Sequence, residues 1–315
     1  MSFQIERVGV VGSGLMGTGI AEVSAAAGIP TVLVKATPGD ARPALDRIAS
    51  SLERAVGRGK LTPEAAAATL ANLTVTCERE ALGDRSLVIE SIVEDVGEKR
   101  ALFADLSRRI SDDAVLASNT STLRIRDLAA GIRERRTIGL HFFSPVPAMS
   151  LVEVAQLPTT DSDILPAAEA FVAALGKTAV PVIDSTGFVV NRLLVPYLLN
   201  AIHAFGEGIA RADQIDTAMK LGCGHPLGPL ALSDLIGLDV VYAMSKLLFK
   251  DFREGRYRPP ALLRRLVQDG HLGKKAGLGF YDYGTRPASP NAAVWDLIRG
   301  GSVRDSHDET ARDAA

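Results

Sequence analysis

A β-branched run at residues 7–11 opens directly into Gly12-Ser13-Gly14-Leu15-Met16-Gly17, and the chain then passes into a helical stretch at 16–27. Strand, glycine-punctuated turn and helix in that order make the start of a βαβ unit. Gly12 permits the tight turn, Gly14 lets the backbone come close to a ligand, and Gly17 lets the helix pack against the strand. The helix start, with Leu15 and Met16, adds free amide donors and positive potential. Together these suit the pyrophosphate of a dinucleotide.

The pattern that follows is consistent with that start. Candidate strands at 31–34, 73–76, 87–92, 115–118 and 137–141 alternate with helical stretches at 41–58, 63–71 and 98–110. Such alternation predicts an α/β, Rossmann-type doubly wound parallel sheet. Strand-like pieces at 151–154 and 178–182 flank a helix at 164–175 and carry the sheet to about residue 185. Beyond it long helical segments dominate, at 189–210, 213–221, 231–252 and 261–269. The sequence therefore predicts a dinucleotide-binding domain over 1–185, an all-α dimerisation and substrate domain over 186–284, and a polar tail over 285–315 with a short helix near 292–298. The apolar run through Leu193, Leu194, Val195, Tyr197, Leu198 and Leu199 exceeds what one face of a solvated helix needs, and burial against a second subunit is one use for it.

Charge narrows the partners. With 35 Lys and Arg against 37 Asp and Glu, nothing in the overall balance draws the chain to nucleic acid or an anionic membrane. No apolar run approaches the roughly 20 residues of a membrane helix. The N-terminus reads as strand rather than leader, and a cytoplasmic location is expected. Cys77 and Cys223 stand in no metal-ligand or redox spacing and read as reduced core or near-core thiols, so no metal site is expected.

In NAD-binding folds an acidic residue ends the second strand and holds the adenosine ribose. Here the strand 31–34 is followed by Lys35, which attracts a 2′-phosphate that a carboxylate would repel. Lys35, with Thr37 and Arg42, inclines the reading toward NADP(H) over NAD(H). The strand 137–141 ends in His141, at the sheet edge where open α/β sheets bind ligands. Removing the hydroxyl proton as hydride leaves an alcohol carbon needs a base, and imidazole titrates in the right range. Glu153, flanked by valines on a short strand, wants a partner. If the intervening loop doubles back, it can accept from the far imidazole nitrogen and fix its tautomer. Residues 117–122, Ala-Ser-Asn-Thr-Ser-Thr, put hydroxyls and the Asn119 amide at the same edge, able to hold a substrate oxygen and the nicotinamide or to cap the next helix. Asn191 sits in an apolar helix, where its amide needs a bond, and reads as reaching back across a cleft to a carbonyl.

These pieces together resemble the L-3-hydroxyacyl-CoA dehydrogenase family, over nearly the whole chain from about residue 5 to Tyr283. The specific motifs are His141-Phe-Phe-Ser-Pro-Val-Pro147 with Leu151-Val-Glu153, Gly187-Phe-Val-Val-Asn191-Arg192 with Pro196-Tyr197, and Ala117-Ser-Asn-Thr-Ser121. Gly224-His-Pro226-Leu-Gly228-Pro229, Leu272-Gly-Lys274-Lys275 and Gly277-Leu-Gly279-Phe-Tyr281 add to them. The resemblance implies that (S)-3-hydroxyacyl-CoA and 3-ketoacyl-CoA are interconverted, with the 3-hydroxybutyryl and acetoacetyl thioesters as the expected pair. It implies His141 as general acid/base, Glu153 as its orienting partner, and Ser121 and Asn191 as donors to the substrate oxygen. It places Glu94 and Lys99 near the nicotinamide ribose and implies a homodimer through the helical domain. Two positions depart from the family: Ser144 stands where asparagine is usual beside the nicotinamide, and Lys35 replaces the acidic residue. Related dehydrogenases acting on sugar acids or carrier-bound hydroxyacyl groups, and a non-catalytic dinucleotide-binding relative, are the competing readings.

Overall fold

The computed structural model describes residues 3–300, and the chain divides into two compact units at the junction of Val189 and Val190. The sequence places that boundary after residue 185. The first unit runs β1 (Val8–Val11), α1 (Leu15–Ala26), β2 (Thr31–Val34), α2 (Arg42–Gly57), α3 (Pro63–Ala71), β3 (Leu73–Thr76) and β4 (Leu87–Glu90). It continues through α4 (Val96–Ser107), β5 (Val115–Ser118), α5 (Ile125–Ala129), β6 (Thr137–Phe142), β7 (Leu151–Gln156), α6 (Ile164–Ala174) and β8 (Thr178–Ile183).

The eight strands form one sheet in the order β3-β2-β1-β4-β5-β6-β7-β8. Successive residues of the central strands alternate between two cores, as a period of two demands. Val8, Val10, Leu33, Leu87 and Ile89 pack with α1, α2 and α6, while Val11, Val32, Val34 and Val88 pack with α4 and α5. Each fully buried Val, Leu or Ile contributes about 1.5–3 kcal/mol, so both helical layers are needed to cover the sheet. Strand order reverses between β1 and β4, and the crevice at their carboxyl ends is where a doubly wound sheet takes a ligand.

The sheet is parallel except where the loop after β6 doubles back. β7 runs antiparallel to β6, and β8 runs parallel to β7. The connection from Phe142 to Leu151 is too short for a crossover helix, so the chain can only turn back. That turn sets His141 directly opposite Glu153.

The second unit comprises α7 (Val190–Gly206), α8 (Ala212–Cys223), α9 (Pro229–Ile236), α10 (Leu238–Phe252), α11 (Ala261–Gln268), the short strands β9 (Tyr281–Asp282) and β10 (Ser289–Pro290), and α12 (Ala292–Arg299). The single helix expected at 231–252 is split by Gly237, whose φ of +105° no α-helix accommodates. The helical unit also runs past residue 284, where the sequence reading ends it. β10 pairs with β9, and Val294 is buried among Phe205, Phe280 and Leu263 in the same core. The remainder of the expected tail, 301–315, lies outside the described residues. Cys223 corrects another expectation, since it ends α8 and is exposed, while Cys77 is half-buried.

Two buried carboxylates organise this unit. Asp216 accepts from the backbone N–H of Leu230 (2.8 Å) and Ala231 (2.9 Å) at the start of α9 and from the Tyr281 hydroxyl (2.8 Å). Asp234 accepts from the N–H of Phe280 (3.0 Å) and Tyr281 (2.9 Å) and from the Tyr283 hydroxyl (3.2 Å). A Cβ on Gly279 would lie 2.1 Å from Asp234, so that motif glycine is a packing requirement. Burial pushes the Asp234 carboxyl up to about 6, with the nearby Asp216 charge adding to the effect and the three hydrogen bonds opposing it. The folded state therefore binds this proton at a pH where the unfolded chain has lost it. Stability from this group rises as pH falls from about 6 toward 4, by at most about 3 kcal/mol. The difference in thermal midpoint between wild type and Asp234→Asn, followed from pH 7 to 4, is expected to move in the wild type's favour over that window. A difference independent of pH would contradict the assignment.

Candidate active site

The carboxyl ends of β1, β4, β5 and β6 bring together most of the residues singled out in the sequence. Gly12 has φ +122°, and a Cβ there would lie 2.2 Å from the Ser91 carbonyl oxygen. A Cβ on Gly17 would lie 1.8 Å from the Gly12 carbonyl oxygen, whereas one on Gly14 would meet nothing within 4 Å. Two glycines thus serve the local packing and the third leaves an open approach to the backbone. No side chain caps α1, whose N-cap is Gly14, so its first-turn amides face that opening with Leu15 exposed and Met16 half-buried. This cradle fits a dinucleotide pyrophosphate.

Lys35 follows β2 at the same edge, adjoining Gly12, whose N–H bonds the Val34 carbonyl at 2.9 Å. Its ammonium donates to the Thr37 carbonyl (2.8 Å), the Thr37 hydroxyl (2.8 Å) and the Pro38 carbonyl (2.6 Å). A second cation was not legible in the sequence. Arg47 of α2 donates to the Ser13 carbonyl at 2.7 Å, yet nothing in its local pattern separates it from the other exposed arginines of that helix.

Glu94 and Lys99 belong to a network rooted in Glu90, the last residue of β4. Lys99 Nζ lies 2.6 Å from Glu90 and 3.3 Å from Glu94, and both Lys99 and Glu90 are buried. Glu90 also accepts from the Ile92 N–H (2.7 Å) and the Ser118 hydroxyl (2.6 Å). Glu94 Oε1 accepts from the Thr120 and Thr122 hydroxyls (2.6 and 2.9 Å) and from the N–H groups of Ser121 and Thr122 (3.0 and 3.1 Å). The Ser121 hydroxyl stands 3.3 Å from the same oxygen. Burial opposes ionisation of Glu94, but Lys99 and these donors outweigh it and hold the carboxyl below the usual carboxylate range. The 117–122 segment is therefore clamped by a carboxylate. Glu90 escaped the sequence reading, although an acid ending the apolar strand Leu87–Glu90 is the signal that would have found it. Asn119 spends its side chain within the edge, accepting from the Phe142 N–H at 2.9 Å and donating to Ser91 Oγ at 3.4 Å.

His141 and Glu153 form a cross-strand pair with Nδ1 2.7 Å from Oε2, and both side chains are buried. An ionised carboxylate can only accept, so the proton lies on Nδ1 and Nε2 is left basic. The other Glu153 oxygen accepts from the Val189 N–H at 3.0 Å. The rings of Phe143 and Phe188 stand 4.3 and 5.7 Å from the imidazole. Phe188 has φ +45°, a strained value for a side chain of that bulk, and it was not foreseen. Asp184, also missed, accepts from the N–H of Ile125 (2.6 Å) and Arg126 (3.1 Å) and so pins the segment following Ser121. Ser144 is exposed in the loop after β6. Asn191 is the second residue of α7, in the other unit.

Comparison with known proteins bears on both units. Residues 7–185 match the family described as 3-hydroxyacyl-CoA dehydrogenase, NAD binding domain, and residues 187–283 match its C-terminal domain. The 3-hydroxybutyryl-CoA dehydrogenase of Mycobacterium tuberculosis is 48% identical over 286 residues, covering 90% of this chain and all of that relative. Among solved structures, M. tuberculosis FadB2 superposes with a TM-score of 0.86 at 47% identity, covering 89% of this chain and 99% of its own. The (S)-3-hydroxybutyryl-CoA dehydrogenase PaaH1 of Ralstonia eutropha gives 0.85 at 40% identity over 89% and 99%.

Proposed function

The chain belongs to the 3-hydroxyacyl-CoA dehydrogenase family, and from that premise we propose that it interconverts (S)-3-hydroxyacyl-CoA and 3-ketoacyl-CoA, with 3-hydroxybutyryl-CoA and acetoacetyl-CoA as its pair. The observation that carries this reading is the buried His141–Glu153 pair at the ligand-binding edge of the sheet, 2.7 Å apart. A bound nicotinamide dinucleotide supplies the hydride acceptor or donor. His141 Nε2 takes the hydroxyl proton in oxidation and returns it in reduction. Glu153 holds the tautomer that leaves Nε2 free to exchange that proton. Ser121 donates to the substrate oxygen, where charge grows, and the family resemblance assigns Asn191 the same role. Glu94, Lys99, Asn119 and Ser144 shape the nicotinamide side.

Oxidation of (S)-3-hydroxybutyryl-CoA against its (R) isomer, with NAD+ and NADP+ in parallel, tests the reading. Turnover of the (S) thioester alone is expected, and equal turnover of both isomers would contradict it. NADP(H) is the preferred cofactor in this reading, because Lys35 and Arg47 stand at the adenosine edge and lysine, not a carboxylate, directly follows β2. The preference is expected to be modest, since Lys35 spends its donors within its own loop.

Glu153→Gln is expected to lower kcat about 10²–10⁴-fold, because an amide that can donate to Nδ1 no longer enforces the productive tautomer. Steady-state kinetics beside a thermal melt checks this, and a loss of less than about threefold would remove Glu153 from the mechanism. A homodimer through the helical unit is supported by Leu193, Leu221 and Leu235, exposed at 69%, 83% and 55%. A cytoplasmic location accords with two free thiols and with the absence, among the described residues, of any helix long and apolar enough to cross a membrane.

A further inference from the structure

Glu90, Lys99 and Glu94 carry two negative charges and one positive. Lys99, 1% exposed, sits 2.6 Å from Glu90 and 3.3 Å from Glu94. A Glu90–Lys99 pair would already be neutral and hydrogen-bonded, so Glu94 leaves the cluster with a net charge of −1. That excess is held in place. Ser118 and the Ile92 N–H fix Glu90, and Thr120, Ser121 and Thr122 fix Glu94. The neighbouring cation on α4, Arg100, is directed at the Asp127 and Ala130 carbonyls rather than at Glu90 or Glu94. Asp95, which caps the Glu98 N–H at 2.9 Å, adds a further acid at the same helix start. Glu94 is also the member that faces outward, with its side chain 36% exposed.

We infer that this triad tunes the redox preference of the bound cofactor, its fixed negative charge favouring the oxidised dinucleotide over the reduced one. The inference rests on the reading above that the nicotinamide lies beside Glu94. The oxidised nicotinamide ring carries a positive charge that hydride transfer removes. A fixed negative charge nearby therefore stabilises one redox form and is indifferent to the other. Glu90 is a positioning residue in this scheme, holding Lys99 and through it Glu94. The effect of one charge at several ångströms, at an effective dielectric constant near 20 and trimmed by solvent, is about tenfold in relative affinity.

The test is the ratio of dissociation constants for the oxidised and reduced dinucleotides, measured by calorimetry and by fluorescence titration. Glu90→Gln removes the net charge and is expected to lower the relative affinity for the oxidised form about tenfold. Combining it with Lys99→Gln restores −1 and is expected to restore the ratio. Ser118→Ala removes a bond of the same network without altering charge, and is expected to move both constants together. Should Glu90→Gln fail to fold, Glu94→Gln removes the same unit of charge at the outward-facing carboxylate and must lower the relative affinity for the oxidised form likewise. Equal weakening of both forms by the charge-changing variants would overturn the inference while leaving the dehydrogenase reading intact. A wild-type protein that binds neither form would overturn both.

Discussion

His141→Ala is expected to cut kcat for acetoacetyl-CoA reduction about 10²–10⁴-fold, while the KM values for thioester and dinucleotide change by less than about threefold. The reason is local. His141 ends its strand with Nδ1 bound to Glu153, so Nε2 is the nitrogen left to exchange a proton, and neither Phe143 nor Phe188 beside it can replace that function. Truncation leaves Glu153 buried with one partner fewer, at a cost of about 1–3 kcal/mol, so a thermal melt must accompany the kinetics. A folded variant that retains a third of wild-type kcat would remove His141 from the chemistry. Loss of dinucleotide binding instead would make it a structural residue.

The second large effect lies in the glycine loop. Gly17→Ala places a Cβ 1.8 Å from the Gly12 carbonyl oxygen, a contact that backbone must move to relieve. Because Gly12 itself adjoins the Ser91 carbonyl, the displacement spreads to the whole turn. Dinucleotide affinity is expected to fall at least about 100-fold, with the first unit destabilised by several kcal/mol, of order 3. Gly14→Ala provides the contrast. Its Cβ would meet nothing within 4 Å and its φ is −72°, so the fold is expected to be untouched while the added methyl obstructs the phosphates and weakens binding about tenfold or more. Titration of both variants beside a thermal melt separates the cases. A stable Gly17→Ala protein with wild-type affinity would contradict the geometry.

The fold was legible where local pattern and tertiary demand agree. Each central strand is apolar because both of its faces are covered, and the glycine loop announced the first crossover. The pairing of His141 with Glu153 was legible too, as a short connection between two strands and a buried acid in want of a partner. Other features depend on backbone geometry or on distant partners that no window of sequence contains. The φ of +105° at Gly237 splits an otherwise continuous helical pattern, and the φ of +45° at Phe188 has no compositional signal. The segment after residue 284 looked like a tail because it is rich in Pro, Asp, Arg and Ser. Yet within its described part, residues 285–300, Val294 and Trp295 pack into the helical core. The motifs Gly224–Pro229 and Leu272–Tyr281 identified the family without disclosing their purpose. In the structure they serve Asp216 and Asp234, two buried carboxylates whose bonds come from as far as 65 residues away. Glu90 did carry a local signal, as the acid that ends an apolar strand, but its role is set by Lys99 nine positions on and Ser118 twenty-eight positions on. The edge after β2 was half legible: Lys35 stood out where dinucleotide folds carry an acid, whereas Arg47 reaches Ser13 across 34 residues.

The most direct test of the whole account is the consumption of NADH and NADPH, in parallel, by purified protein given acetoacetyl-CoA. Rapid thioester-dependent oxidation of at least one of them is expected, lost in His141→Ala, with NADPH moderately preferred. Tight dinucleotide binding with no turnover of either would contradict it, and would leave a sugar-acid or carrier-bound substrate, or a non-catalytic binding protein, as the description the chain must meet.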